Sequence, residues 1–265
     1  RSAIELLEKA RETTLAENNK SHINLYVALG IKSRACLAEG DWDGAFKAAK
    51  RVIDEGGYAV GTKSDLTGGM NSLDKQNVMW GAGIQVADQA GGYAGFFTHM
   101  DNKEGAYAKS APKLISKQLY NRISATDIRR DWWDPSDKES PYVSKKFSFA
   151  NVASFLGDYI YMRVEEMYFT AAEAALRLDD LKSARELMNT VMAERDPGYS
   201  ANNRSGTLLG ATTTTWTGSF LENILTHRRI ELWGEYGRLF DVRRLGQGID
   251  RRTDDGFSER SEERR

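Results

Sequence analysis

The first stretch, RSAIELLEKARETTLAE (1–17), places Ile4, Leu7 and Leu15 on one face at helical spacing. The same period predicts helices over 22–39 and 43–55, the latter stopping at Gly56-Gly57, a pair suited to a helix C-terminus. Only GDWD separates 22–39 from 43–55, so these two helices must pack antiparallel as a hairpin. The pattern returns over 159–178 and 183–195, with DDLK as the turn. A shift of 139 residues carries Ala45 onto Ala184, Ser33 onto Ala172, Cys36 onto Ala175 and Asp41 onto Asp180. Small residues thus recur where two helices approach closely, the packing logic of a tetratricopeptide hairpin. Lys32 stands where that repeat usually has an apolar residue, and the long stretch between the hairpins rules out a simple solenoid. A last helix is predicted from Ser219 through FLENILTHRRIELWGEYGR, with Ser219 and Glu222 spaced as a capping box.

Between the hairpins, 58–158 reads as an irregular insert. NVMWGAGIQVA (77–87) suits a short strand, PKLISKQLYNRIS (112–124) a helix and YVSKKFSF (142–149) a strand. A segment this long inside a domain is functional or disordered, and its aromatic content argues against disorder. The expected organisation is a single domain over 1–250. Residues 1–57 and 159–248 form the helical scaffold, 58–158 the ligand-binding insert, and 251–265 a charged, disordered tail.

Composition narrows the function classes. The 37 basic and 38 acidic side chains leave a net charge of -1, and no basic stripe interleaved with aromatics offers a footprint for nucleic acid. No apolar run approaches the ~20 residues that span a bilayer. The single cysteine, Cys36, is expected to be a small core residue. His22, His99 and His227 are far apart and form no H-x-x-x-H, so neither a metal nor a cofactor is expected. GAGIQV (81–86) lacks the third glycine of a dinucleotide fingerprint and reads as backbone turning closely under aromatics. Glu231 and Glu235 sit four apart on a helix with Arg228, Arg229, Arg238, Arg243 and Arg244 nearby. Carboxylates so surrounded suit ion pairing and are poor general acids near neutral pH. No catalytic residue is expected.

Aromatic residues are the remaining signal. Trp80, Tyr93, Phe96, Trp132 and Trp133 fall in the insert, with Asn77, Gln85, Asp88, Gln89 and Asp101 close by in sequence. Flat apolar faces of sugar rings stack on such side chains, and amides and carboxylates bind sugar hydroxyls. These five aromatics are the candidate ligand-binding residues. Trp132 and Trp133 lie in DWWDPSDKESPY (131–142), where Pro135 and Pro141 forbid a continuous helix or central strand. Adjacent residues of an extended chain point to opposite sides, so one is expected to anchor the loop and the other to be partly exposed to ligand.

YIYMRVEEMYFTAAEAALRLDDLKSARELMNTVMAER and SFLENILTHRRIELWGEYGRLFDVRRLGQG (219–248) resemble the SusD/RagB family. The pattern is R-x-E-E-x-x-x-x-x-A-E-A followed by R-R-I-E-L-x-x-E-x-x-R-x-x-D-x-R-R. The hairpin at 22–58 and VMWGAGIQVADQAGGYAGFFTHMD are also similar to that family. The resemblance implies a mainly α fold, with tetratricopeptide-like hairpins and an irregular ligand-binding face. It implies a nutrient-binding surface lipoprotein of the outer membrane in Bacteroidota. Such a protein binds an oligosaccharide or other nutrient for a TonB-dependent (SusC-like) transporter and is not an enzyme. It also implies a signal peptide and an N-terminal lipid anchor that this sequence does not contain, so a fragment is expected. Two other readings compete: a helical-repeat scaffold for protein interactions without a ligand, and a glycoside hydrolase with a helical core.

Overall fold

The computed structural model describes residues 4–5, 19–88 and 95–250. Of the helix expected over 1–17, only Ile4 and Glu5 fall within these, and both are helical. The tail 251–265 lies outside them.

The first hairpin is α1 (Leu25–Glu39) and α2 (Trp42–Glu55). The second is α7 (Val164–Arg177) and α8 (Leu181–Ala193). Asn24 caps α1, its side chain accepting the Val27 N–H at 2.9 Å, which is why the helix starts three residues later than its pattern predicts. The two turns are built alike. Asp41 and Asp180 each cap the second helix of their hairpin, accepting from Gly44 and Ser183 at 2.9 and 3.0 Å. The residues just before them, Gly40 and Asp179, both adopt the left-handed conformation (φ 79° and 62°). The repeat read from the sequence is thus a repeat of backbone geometry.

Helix α2 packs on α7, and α9 (Phe220–Glu231) packs on α7 as well. Val52, Met167, Phe169, Met188, Val191 and Phe220 sit at the centre of the main core. Cys36 is buried in a small satellite cluster with Ala45 and Ala174. Ser219 accepts the Glu222 N–H at 3.1 Å, completing half of the expected capping box. The Glu222 carboxylate reaches back past the cap to the N–H groups of Thr217 and Gly218 instead (2.7 and 2.6 Å).

The stretch between the hairpins has its own apolar cluster, centred on Phe97, Ile115, Leu119, Trp132, Trp133 and Phe147 and closed by Ile230 of α9. Its regular elements are short: α3 (Lys63–Thr67), β1 (Val78–Ala82), α4 (Phe96–Met100), α5 (Ala106–Ser110), α6 (Lys117–Tyr120), β2 (Trp133–Asp134) and β3 (Val143–Ser144). Strand β1 pairs antiparallel with β4 (Tyr159–Arg163), which runs directly into α7.

Other expected boundaries change as well. Residues 159–163 are strand rather than the first turns of a helix, because their backbone is claimed by β1. Of 112–124, only one turn is helical. Pro112 precedes it, and the Ile115 N–H donates to the Tyr142 carbonyl (3.2 Å), committing the start of the segment to pairing with 142–144. The strand expected over 142–149 shortens to Val143–Ser144. The last helix ends at Glu231 rather than running on to Arg238. Gly234 and Gly237 take left-handed backbone (φ 74° and 107°), and the carbonyls of Glu231 and Trp233 accept the Lys146 ammonium (2.7 and 2.9 Å). Helix α10 (Arg238–Arg244) then restarts.

Candidate functional site

A buried ionic network fixes the parts that surround the site. Glu231, fully buried, accepts from Arg163 (2.9 Å), Arg195 (3.0 and 3.1 Å) and Arg129 (3.1 Å). Burial alone would raise its carboxyl pKa, but the three guanidinium groups together hold it well below the ordinary range. Glu235 takes both Arg163 Nε and Nη2 at 2.8 Å and the Lys146 ammonium at 2.5 Å. Ion pairing is therefore the role of both acids, as their sequence setting suggests. The partners differ from those expected: they come from other segments, while Arg228 and Arg244 pair with Glu166, Asp241 and Glu173.

Beside this network lies a cavity of about 460 Å³. Strand β1 contributes Trp80 and its partner β4 contributes Tyr159, Ile160 and Tyr161. Helix α4 contributes Phe96, and the turn after α9 contributes Gly234, Glu235 and Tyr236. Trp80 and Tyr161 meet edge to face with ring centres 5.1 Å apart, and Tyr161 is 42% exposed. Arg34 of α1 sits over the Tyr236 ring at 3.9 Å while both its forks are spent on Glu166 (2.8 and 2.6 Å). The charged members of the lining are thus neutralised from behind, and the surface offered is aromatic. The hydroxyls of Tyr161 and Tyr236 have no hydrogen-bond partner among the described residues.

Of the five aromatics proposed from sequence, the fold brings Trp80 and Phe96 to this cavity. Tyr93 lies outside the described residues. Trp132 and Trp133 are both in the core, 2% and 1% exposed, so the expected division into anchor and platform does not occur. The alternation argument fails because the backbone changes type between them: Trp132 ends a 3-10 turn (Ile128–Trp132) and Trp133 begins β2. Trp132 donates its indole N–H to the Leu66 carbonyl (2.9 Å), and Trp133 packs on Trp233 with ring centres 5.7 Å apart.

Two of the polar neighbours expected to bind hydroxyls, Asn77 and Asp101, are engaged elsewhere, and Gln89 lies outside the described residues. Asn77 donates to the buried Glu165 (3.0 Å), and Asp101 accepts from the backbone of Lys103, Glu104 and Phe149. Sequence reasoning missed Arg34, Tyr159, Tyr161 and Tyr236. The two-residue spacing of aromatics in YIY is a strand signal, and GEYG brackets Tyr236 with turn-forming glycines.

Residues 97–262 match the SusD family. The chain belongs to that family. Among solved structures, this SusD-family chain is similar to a SusD-like carbohydrate binding protein from Bacteroides vulgatus. The two are 28% identical with a TM-score of 0.72, over 94% of this chain and 52% of that one. A SusD superfamily protein from Bacteroides thetaiotaomicron is 21% identical, with a TM-score of 0.69 over 94% and 56% of the two chains. Surface glycan-binding protein A from Bacteroides uniformis is 17% identical, with a TM-score of 0.60 over 94% and 58%. The chain spans slightly more than half the length of these structures. No curated protein matches it. Among the described residues, no three His, Cys, Asp or Glu side chains gather as a metal site, and no helix is long and apolar enough to cross a membrane.

Proposed function

We propose that this chain binds an oligosaccharide in the cavity walled by Trp80, Tyr161 and Tyr236, without cleaving it. The protein acts in nutrient uptake at the surface of the outer membrane and delivers its ligand to a TonB-dependent, SusC-like transporter. The observation that carries the reading is the cavity itself: ring faces and edges, two unengaged phenol hydroxyls, and charges already paired. Amphipathic aromatics of this kind suit a ligand with apolar ring faces and polar edges. Family membership supports the surface location and the transporter partner. Binding without hydrolysis is supported by Glu231 and Glu235, which are held ionised by buried cations and so are unsuited to donate a proton near neutral pH.

Isothermal titration against a panel of oligosaccharides, with chromatography of the recovered ligand, tests the reading. Intact ligand bound by the chain, and bound about tenfold more weakly after Trp80→Ala, is the expected result. Shortened ligand would sink the non-catalytic claim. Absence of binding to any glycan would leave the helical-repeat interaction scaffold as the better reading.

A further inference from the structure

A second, smaller cleft opens between the loop preceding α9 and the start of α10. Thr212, Thr215, Trp216, Arg229, Arg238 and Gln247 line it. Its free volume is about 30 Å³, room for a group of two or three heavy atoms and far too small for a sugar ring. The notable side chain is Arg238. It is partly buried, and among the described residues its guanidinium has neither a hydrogen bond nor an ion pair.

The nearby carboxylates are already committed. Asp241, whose field reaches Arg238, is gripped by Arg228 (3.1 Å) and Arg244 (2.8 Å). Glu222, also in the lining, spends Oε2 on the N–H groups of Thr217 and Gly218 and on the Thr217 hydroxyl (2.7, 2.6 and 3.0 Å). Asp250 also stands at this threonine loop, its carboxylate accepting the Thr214 hydroxyl. Arg229 is in the wall, and Arg122 lies 3.7 Å over the Trp216 ring. A guanidinium that gives up water without gaining a partner raises the free energy of the fold. Burial lowers the pKa of Arg238, in keeping with an uncompensated loss of solvation.

We propose that this cleft is a carboxylate-binding subsite, with Arg238 as the charged partner and the Thr212 and Thr215 hydroxyls at its edge. A planar carboxylate matches both the guanidinium fork and the small volume. The ligand class is a small organic acid, or a uronate whose ring stays outside while its carboxylate enters. The inference stands apart from the aromatic cavity, which lies on other residues.

Titration of the 265-residue chain with sodium glucuronate, glucose and acetate at low salt tests it. Glucuronate should bind and glucose should not, and acetate should compete if the carboxylate alone is read. Arg238→Gln should weaken glucuronate about tenfold or more, the size of a lost charge-assisted hydrogen bond. Arg238→Lys should retain part of the affinity, and Trp80→Ala all of it, which separates this site from the aromatic cavity. Three results would overturn the proposal: glucose binding as well as glucuronate, no glucuronate binding, or Arg238→Gln binding unchanged. A marked fall in melting temperature for Arg238→Gln would also overturn it, because the guanidinium would then have a structural partner.

Discussion

Arg163 holds Glu235 with two parallel bonds of 2.8 Å, tying the end of β4 to the turn that walls the aromatic cavity. Both side chains are nearly or wholly enclosed, and Lys146 shares the same carboxylate. Removing one partner of such a group leaves cations buried and uncompensated. Glu235→Ala is expected to cost about 3–5 kcal/mol of stability. Urea unfolding measures it, and a loss below about 1 kcal/mol would show that the network relaxes freely.

Trp132→Ala and Trp133→Ala should each cost about 3–5 kcal/mol, because both empty a large volume in a packed cluster. Neither should change ligand affinity in the protein that remains folded. Trp80→Ala should do the reverse, with a smaller stability loss and about tenfold weaker binding of any oligosaccharide that the chain takes up. Chemical denaturation and calorimetric titration on the same three variants separate the roles.

Gly81 is opposed by the Tyr159 carbonyl across the strand pair, and a Cβ there would collide with that backbone. Gly81→Ala is therefore expected to push β1 from β4 and move Trp80 relative to Tyr161. Reduced affinity together with reduced stability is the expected outcome, and unchanged affinity would place ligand contact away from these strands.

Alkaline pH should act through Lys146. Burial pushes its ammonium down to about 8, with Glu235 pulling the other way. The unfolded side chain titrates near ~10.4, so between these values the unfolded state holds more protons and stability rises with pH. Unfolding at pH values between 7.5 and 9.5 should show this rise in the difference between the native protein and Lys146→Met. A flat difference would contradict it.

Acid should act through His227 and the paired carboxylates. Burial and the Arg129 guanidinium hold His227 well below its ordinary range, and its Nδ1 must accept the 2.8 Å bond from Arg129. The unfolded imidazole protonates first, so stability is lost as pH falls below about 6.5. Glu231, Glu235 and Asp241 are depressed and add a further loss below about pH 4.5 as they protonate. Melting temperatures from pH 7 to 4 should fall in these two stages, and His227→Gln should remove the first.

The hairpins were legible because their signals are local: small residues, turn acids and glycines fix both helices and the short link between them. Asp41 and Asp180 illustrate this, sharing residue type, cap and backbone. The cavity was legible only in part. Trp80 and Phe96 could be chosen by type, but Tyr161 and Tyr236 join them through a strand pairing and a helix break set by distant residues. Trp132 and Trp133 misled for the same reason, since burial in this region depends on contacts such as Trp133 with Trp233.

Glu231 has a consequence for remodelling the protein. Its counter-charges come from Arg129 and Arg163 as well as from Arg195, and Glu235 beside it depends on Lys146. The residues between the hairpins therefore cannot be exchanged as a cassette to change ligand preference. A graft lacking Arg129 and Lys146 would take one buried cation from Glu231 and one from Glu235, leaving only Arg163 and Arg195 to hold both carboxylates inside.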